Sequence, residues 1–281
     1  MKLRELLVRA TNELSGRRID NPNLEAEVLL RHVLDLRRET FFASLDEDLT
    51  ADRETLVLEL VTQRASGTPL AYLTGRREFF GLDFVVNPSV LIPRQETELL
   101  VEKVLELAEH HTGEVLTVVD VGTGAGAIAV AIAYNSPDAA VVATDVDPEA
   151  LKVAAENCRR HGVAGRVRLE QGDLLKPIVS PVDIVVSNPP YLTSKDMAFA
   201  PLEVKREPAV ALYAGDDGLD VIRRLFRQLP SKLKAGGSAF IEIDPLQLEA
   251  VVILATEAFP NAGVSFERDL LGLARVVVIA T

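Results

Sequence analysis

Thr117-Val118-Val119-Asp120-Val121 runs without a break into Gly122-Thr123-Gly124-Ala125-Gly126. The first five residues are mostly β-branched and read as a short buried strand. The glycines let the backbone turn tightly and approach a ligand closely, and the Ala127-Ile128-Ala129 segment beyond them opens a helix. Downstream, strand-like runs at 140–145, 167–170, 182–187 and 238–243 alternate with helical segments at 148–160, 218–233 and 246–258. Such alternation builds a parallel, doubly wound α/β sheet. Two final runs, 264–267 and 275–280, are joined by a loop and not by a helix, so the last of seven strands is expected to insert antiparallel.

Upstream of this unit the periodicity is different. Leu3, Leu6, Leu7, Ala10 and Leu14 form one helical stripe, Asn21-Pro22 caps and opens a helix over about 24–36, and Thr50 caps another whose inner face carries Leu56, Leu60, Val61 and Ala65. From Phe79 the pattern turns to alternation, with Leu82, Phe84 and Val86 after Gly81, which reads as a hairpin. A helix at 96–110 then leads into the first strand of the sheet.

The 281 residues carry 30 basic and 42 acidic side chains, a net charge of −12, and that field repels phosphate backbones. Nucleic acid is therefore not expected to be a direct partner. The single cysteine, Cys158, excludes an internal disulfide and a thiolate metal centre and fits a reducing compartment. No apolar run is long enough to span a bilayer, and the amino terminus is charged throughout, so the chain reads as soluble and cytoplasmic with no membrane partner. His32 and His161 lie on predicted helices and His110-His111 end a helix, and no metal is expected.

The glycine loop implies a nucleotide-type cofactor but leaves its kind open, because Gly122, Gly124 and Ala127 also satisfy a dinucleotide fingerprint. Asp145, ending the next strand, can accept from ribose hydroxyls in either case. Asp120 favours a cationic, methionine-derived cofactor, since an acid there faces an ammonium well and a pyrophosphate badly. Asp173, after the third strand at the same sheet edge, can accept from an adenine amine.

The most informative segment is Asn188-Pro189-Pro190-Tyr191, directly after the strand at 182–187. Two prolines fix their own φ, hold Asn188 out of the helical region and donate no N–H. What remains are acceptors: the Asn188 side-chain oxygen and the Pro189 carbonyl can each take one hydrogen of an NH₂ group, and Tyr191 offers a flat face. That combination recognises a planar amino nitrogen, whether of an amide or of a nucleic-acid base.

From Pro69 to the carboxyl terminus the sequence resembles the release-factor glutamine methyltransferases. The resemblance is carried by Pro69-Leu70-Ala71-Tyr72-Leu73-Thr74-Gly75, Leu91-Ile92-Pro93-Arg94-Gln95-Glu96-Thr97-Glu98, the Asp120–Gly126 loop, Asn188–Tyr191, Glu207-Pro208 with Ala211-Leu212, Gly215–Leu219, and Asp269-Leu270-Leu271-Gly272 with Arg275. It implies the seven-stranded S-adenosylmethionine-dependent methyltransferase fold at 96–281, a small all-helical substrate-docking domain at 1–74 and a hairpin linker at 75–95. It implies that Asp120, Gly122, Thr123, Gly124, Ala125, Gly126, Asp145, Asp173, Leu174 and Asn188 bind S-adenosyl-L-methionine. Asn188, Pro189, Pro190 and Tyr191 would then hold a glutamine amide, with Asn188 and Tyr191 catalytic and peptide chain release factors as partners. Two positions depart from the family pattern: Gln95 stands where Pro is usual, and Glu242-Ile243 is followed by Asp244-Pro245 where Gly is usual. If that glycine adopts a positive φ, Asp244 is strained.

Glutamine in a ribosomal protein, or an exocyclic base amine, poses the same recognition problem as a release-factor glutamine. The net charge, the lack of a basic strip near the motif and the absence of a base-reading module weigh against the nucleic-acid alternative.

Overall fold

The structure, a computed structural model, describes residues 1–17, 19–112 and 115–281. It divides into two units, Met1–Arg76 with Pro201–Arg206, and Arg77–Ala200 with Glu207–Thr281.

In the first unit, α1 (Leu3–Ser15), α2 (Pro22–Leu34), α3 (Arg38–Ala43), α4 (Ala51–Ala65) and α5 (Leu70–Thr74) follow one another. Leu3, Leu6, Ala10 and Leu14 of α1 pack with Ala26, Leu29, Leu30 and Leu34 of α2, Phe41 of α3, and Val57 and Val61 of α4. Leu56 of α4, expected inside, is half exposed, because the buried stripe passes through Val57 and Val61 instead. Asn21 and Thr50 do occupy the positions before α2 and α4, but neither side chain caps its helix. Acids in the first turns, Glu25 in α2 and Asp52 and Glu54 in α4, meet the positive helix ends there. The excursion at 201–206 is held by charge: buried Arg64 pairs with Glu25 and, at 2.9 Å, with Glu203.

The second unit opens with the hairpin of β1 (Arg76–Phe79) and β2 (Leu82–Val85). Its two-residue turn, Phe80-Gly81, has φ of 51° and 73°, the left-handed pair that twists with the strands. Phe80 bears an unusual φ for a bulky residue, and its N–H is fixed by the Glu98 carboxylate at 2.8 Å. Phe79 and Phe84 meet edge to face in the core.

Then come α6 (Glu98–His110), β3 (Thr117–Val121), α7 (Ala127–Asn135), β4 (Ala140–Asp145), α8 (Pro148–Arg160), β5 (Val167–Gln171), β6 (Val182–Ser187), α9 (Ser194–Phe199), α10 (Asp220–Gln228), β7 (Leu233–Glu242), α11 (Leu248–Ala258), β8 (Gly263–Arg268) and β9 (Ala274–Ala280). The sheet order is β5-β4-β3-β6-β7-β9-β8, parallel from β5 to β7, with β9 antiparallel to both neighbours. From β3 the chain winds one way through β4 to β5 and then the other way through β6 to β7. The carboxyl ends of β3 and β6 therefore flank the switch point where doubly wound sheets bind ligands. Helix α7 is buried from Ala127 to Ala133, which is why its sequence shows no polar face.

Two boundaries differ by five residues from those expected, the others by less. The helix expected over 218–233 ends at Gln228, because Pro230 cannot continue it. The strand expected from Ser238 begins at Leu233, with the pairing to β6 shifted between Val182 and Ile184, so Gly236-Gly237 marks an irregularity within a strand and not its start. No helix among the described residues is long and apolar enough to cross a membrane.

Candidate active site

Strand β3 delivers Asp120 to the sheet edge, and the chain turns at once. Gly122 and Thr123 both donate N–H to the Thr144 carbonyl, at 2.8 and 2.9 Å. Gly122, Gly124 and Gly126 all have positive φ, from 54° to 80°. A Cβ on Gly122 or Gly124 would meet no protein atom, whereas one on Gly126 would crowd Ala154 of α8 at 3.1 Å. The first two glycines thus leave space for a ligand and the third lets two helices approach.

Asp120 sits behind this loop and does not face the cavity in front of it. Its Oδ2 accepts from the Thr123 hydroxyl at 2.6 Å and from the Ala129 N–H at 3.2 Å, while Oδ1 has no partner among the described residues. Full burial, reinforced by the charge of Asp145, pushes its carboxyl up to about 7, against the pull of those two donors. The direct contact with a cofactor ammonium expected from the sequence is therefore not what this side chain does first: it fastens the loop. Asp145, ending β4, accepts from Gly124 N–H at 2.8 Å and Asp147 N–H at 3.0 Å, and burial raises its pKa. Its remaining lone pairs stay available beside the glycines.

A cavity of about 250 Å³ opens here. Gly122, Gly124, Asp145, Asp173, Leu174, Asn188 and Pro190 line it, whereas Asp120, Thr123, Ala125, Gly126, Pro189 and Tyr191 do not. Asp173 is already engaged, with Lys176 at 2.7 Å and with Arg224, and these cations hold its carboxyl below the usual range. An adenine amine would have to share it. Leu174 adopts a left-handed φ of 56°, and its carbonyl accepts from the Thr144 hydroxyl at 3.0 Å. The glycines without Cβ and the acid ending β4 suit a ribose-bearing ligand in this cavity.

Asn188 directs its Nδ2 to the Thr97 hydroxyl, 3.0 Å away, which turns Oδ1 to the side of the cavity. Pro189 is buried. Tyr191 is partly exposed, its carbonyl accepts from Gln247 at 3.0 Å, and its phenol, largely desolvated and near Glu242, is pushed above its ordinary pKa. Gly218 is required beside it, since a Cβ there would lie 2.2 Å from the Tyr191 carbonyl oxygen.

Several residues at the site were not singled out from the sequence. Val90, Pro208 and Ala211 form part of the cavity wall. Buried Glu207 binds the Ile92 N–H at 3.0 Å and pairs with Arg94, locking the Leu91–Glu98 segment in place. Those segments are among the motifs that carry the resemblance, which is the signal that could have marked them. Asp244 has an ordinary φ of −69° and its side chain accepts from Leu246 N–H at 2.8 Å, so the strain expected there is absent. The imidazole of His161 lies 3.0 Å from the Asp83 carbonyl and packs on Phe84, a structural role. Cys158 is buried, and desolvation pushes its thiol up to about 11. Among the described residues there is no group of three or more His, Cys, Asp or Glu able to hold a metal.

The sheet order, the reversed last strand and the site at the switch point define a methyltransferase. Residues 5–75 match the PrmC N-terminal domain family and residues 94–203 the methyltransferase small domain family. A release factor glutamine methyltransferase of Moorella thermoacetica is 44% identical over 256 residues, covering 91% of this chain and 90% of the relative. Another, of Deinococcus radiodurans, is 41% identical over 245 residues, 87% of each. The chain belongs to the release factor glutamine methyltransferase family. A solved 16S rRNA methyltransferase from T. thermophilus, in complex with AdoMet and guanosine, shares the fold with a TM-score of 0.54 at 18% identity, over 73% of this chain and 49% of that one.

Proposed function

We propose that this protein binds S-adenosylmethionine and methylates the side-chain amide nitrogen of the glutamine in the Gly-Gly-Gln motif of cytoplasmic peptide chain release factors. The observation that carries this reading is the Asn188 side chain, at the edge of a cavity floored by glycines, with its nitrogen tied back to Thr97 and its oxygen free. The relatives named above support the choice of a release factor over other amide or amine carriers.

When bound, S-adenosylmethionine supplies an electrophilic methyl group. The residues that would hold it are Gly122, Gly124 and Asp145, with Asp173 and Leu174 on the adjoining wall. The remaining work belongs to the protein and is largely alignment. An amide nitrogen is a poor nucleophile, because its lone pair is delocalised into the carbonyl. Asn188 Oδ1 and the Pro189 carbonyl accept its two N–H bonds, orient it, and favour the positive charge that develops on it, so their effect is largest in the transition state. Glutamate offers no N–H to these acceptors and is repelled by them, which selects glutamine. The helical unit at the amino terminus, which carries no catalytic motif, is assigned to docking of the protein substrate.

The test is incubation with labelled S-adenosylmethionine and separate pools of release factors, ribosomal proteins and nucleic acid, followed by mass spectrometry. A methyl on the Gly-Gly-Gln glutamine is expected. Label on a base, on a ribosomal protein alone or on no glutamine overturns the assignment.

A further inference from the structure

A second acid is buried at the same sheet edge. Glu242, the last residue of β7, is 1% exposed, and its Oε2 has no hydrogen-bond partner among the described residues. The groups facing it come from three sides: Glu96 and Thr97 ahead of α6, Tyr191 after β6, and Arg275 of β9, which is itself anchored to Asp269 at 3.0 Å. Thr97 is buried too, and it is the hydroxyl that accepts the Asn188 Nδ2–H.

A hydroxyl owns one proton, and the direction in which it is given decides what the oxygen can offer elsewhere. When Glu242 is ionised it can only accept, so Thr97 directs its proton there and meets Asn188 with a lone pair. The Asn188 amide must then turn Nδ2 inward and Oδ1 to the cavity. When Glu242 is protonated, the acid can donate to Thr97, whose own proton is released toward Asn188. The amide can then turn over and present donors to a substrate nitrogen that requires acceptors. The two orientations have nearly the same shape, so only this polar network distinguishes them.

We propose that Thr97 and Glu242 are positioning residues that hold the Asn188 amide with its acceptor toward the substrate, and that they do so while Glu242 is ionised. The proposal rests on the glutamine-methylating reading. Burial, with some help from Glu96, pushes Glu242 up to about 7, although Thr97, Arg275 and Tyr191 favour its charged form. The change of charge therefore falls where an enzyme is ordinarily assayed.

The test measures kcat, KM for the release factor and Kd for S-adenosylmethionine between about pH 6 and 9 in four proteins: wild type, Thr97→Val, Thr97→Ser and Glu242→Gln. Thr97→Val is expected to lower kcat about tenfold or more while the cofactor Kd stays within about threefold, and Thr97→Ser is expected to restore kcat to within about threefold. Wild-type kcat should fall on the acid side with an apparent pKa near 7, and Glu242→Gln should be slower and lack that limb. The cofactor Kd shows in each case that the variant is folded, and should Thr97→Val fail to fold, the Thr97→Ser and Glu242→Gln profiles still decide the matter. Wild-type kcat in Thr97→Val, or an acid limb that persists in Glu242→Gln, overturns the proposal. Absence of glutamine methylation by the wild type at every pH overturns the parent reading, and this one with it.

Discussion

Asp120 and Glu242 stand at the carboxyl ends of β3 and β7, are 0% and 1% exposed, and each keeps one oxygen without a partner among the described residues. Burial pushes both up to about 7. They differ in where their neighbours come from. The bonded oxygen of Asp120 is satisfied by Thr123 and Ala129, within nine residues of chain, while Glu242 is faced by Glu96, Thr97, Tyr191 and Arg275 from opposite ends of the unit. The glycine loop on the proposed cofactor side is thus fastened by Asp120 within one stretch, although Asp145, Asp173 and Leu174 beside it come from later in the chain. The acceptor side is assembled by the sheet topology, and only folding brings its parts together.

If the two sides are separable, substitutions should affect one function and spare the other. The largest effect is expected for Asn188→Ala, which deletes one of two acceptors and should lower kcat by about 10²–10³. Steady-state rates with a release factor, set beside cofactor affinity by calorimetry, check it. A loss of cofactor affinity as large as the loss of kcat would mean that Asn188 serves both sides and that the division fails. Asp145→Ala should do the opposite. It removes an acceptor beside the glycines, weakening cofactor binding by about 1–3 kcal/mol, and the same calorimetry should find kcat at saturating cofactor little changed.

This division also explains what could be read before folding. The alternation of β-branched runs and helices, the reversed final strand and the glycine loop are local patterns, and each was legible. At Asn188-Pro189-Pro190-Tyr191 the position after β6 and the restricted backbone were legible, because two prolines in a row restrict the backbone whatever surrounds them. The role of Asp120 was legible only by half. Its position at the strand end marks the loop, but that the carboxylate turns back on Thr123 and Ala129 depends on where α7 begins. Thr97 and Glu207 lie in motifs that carry the resemblance, but their partners were not legible, since one binds Asn188 across 91 positions of sequence and the other binds Ile92 across 115. Helix ends misled where a single residue decided them, as Pro230 does after α10.

A smaller effect tests whether Asp120 carries its raised pKa in the folded protein. The unfolded chain releases that proton near the ordinary value of 3.8, the folded protein near 7. Between those values the folded state holds a proton that the unfolded chain has lost, so stability falls as pH rises across the window and does not recover above it. Asp120→Asn removes this titration and keeps the shape, while Glu242 goes on contributing in the same direction. Thermal melts at about pH 5 and pH 8 should show the wild type losing more stability than the variant, by on the order of 1 kcal/mol or about 2–4 °C. Equal losses would place the Asp120 proton elsewhere.

The smallest effect concerns Asp244, two residues beyond Glu242 on the assembled side. The family resemblance leads to the expectation of glycine there, and strain at this aspartate would make Asp244→Gly stabilising, because glycine would relieve a left-handed backbone. The observed φ of −69° is one that any residue adopts, and the carboxylate accepts the Leu246 N–H at the start of the turn that leads into α11. The substitution therefore relieves nothing, removes a hydrogen bond and adds freedom to the unfolded chain. Replacing such a capping residue by glycine costs a few tenths of a kcal/mol, to which the entropy of glycine adds about 0.5–1 kcal/mol. Urea unfolding should accordingly find Asp244→Gly less stable by about 0.5–1.5 kcal/mol, with kcat unchanged because Glu242 keeps its neighbours. A more stable variant would show that the backbone at this corner is strained after all. A variant with normal stability and reduced kcat would show that the turn after β7 helps to place Glu242, and so that the assembled side of the site extends two residues further than the contacts around Asn188.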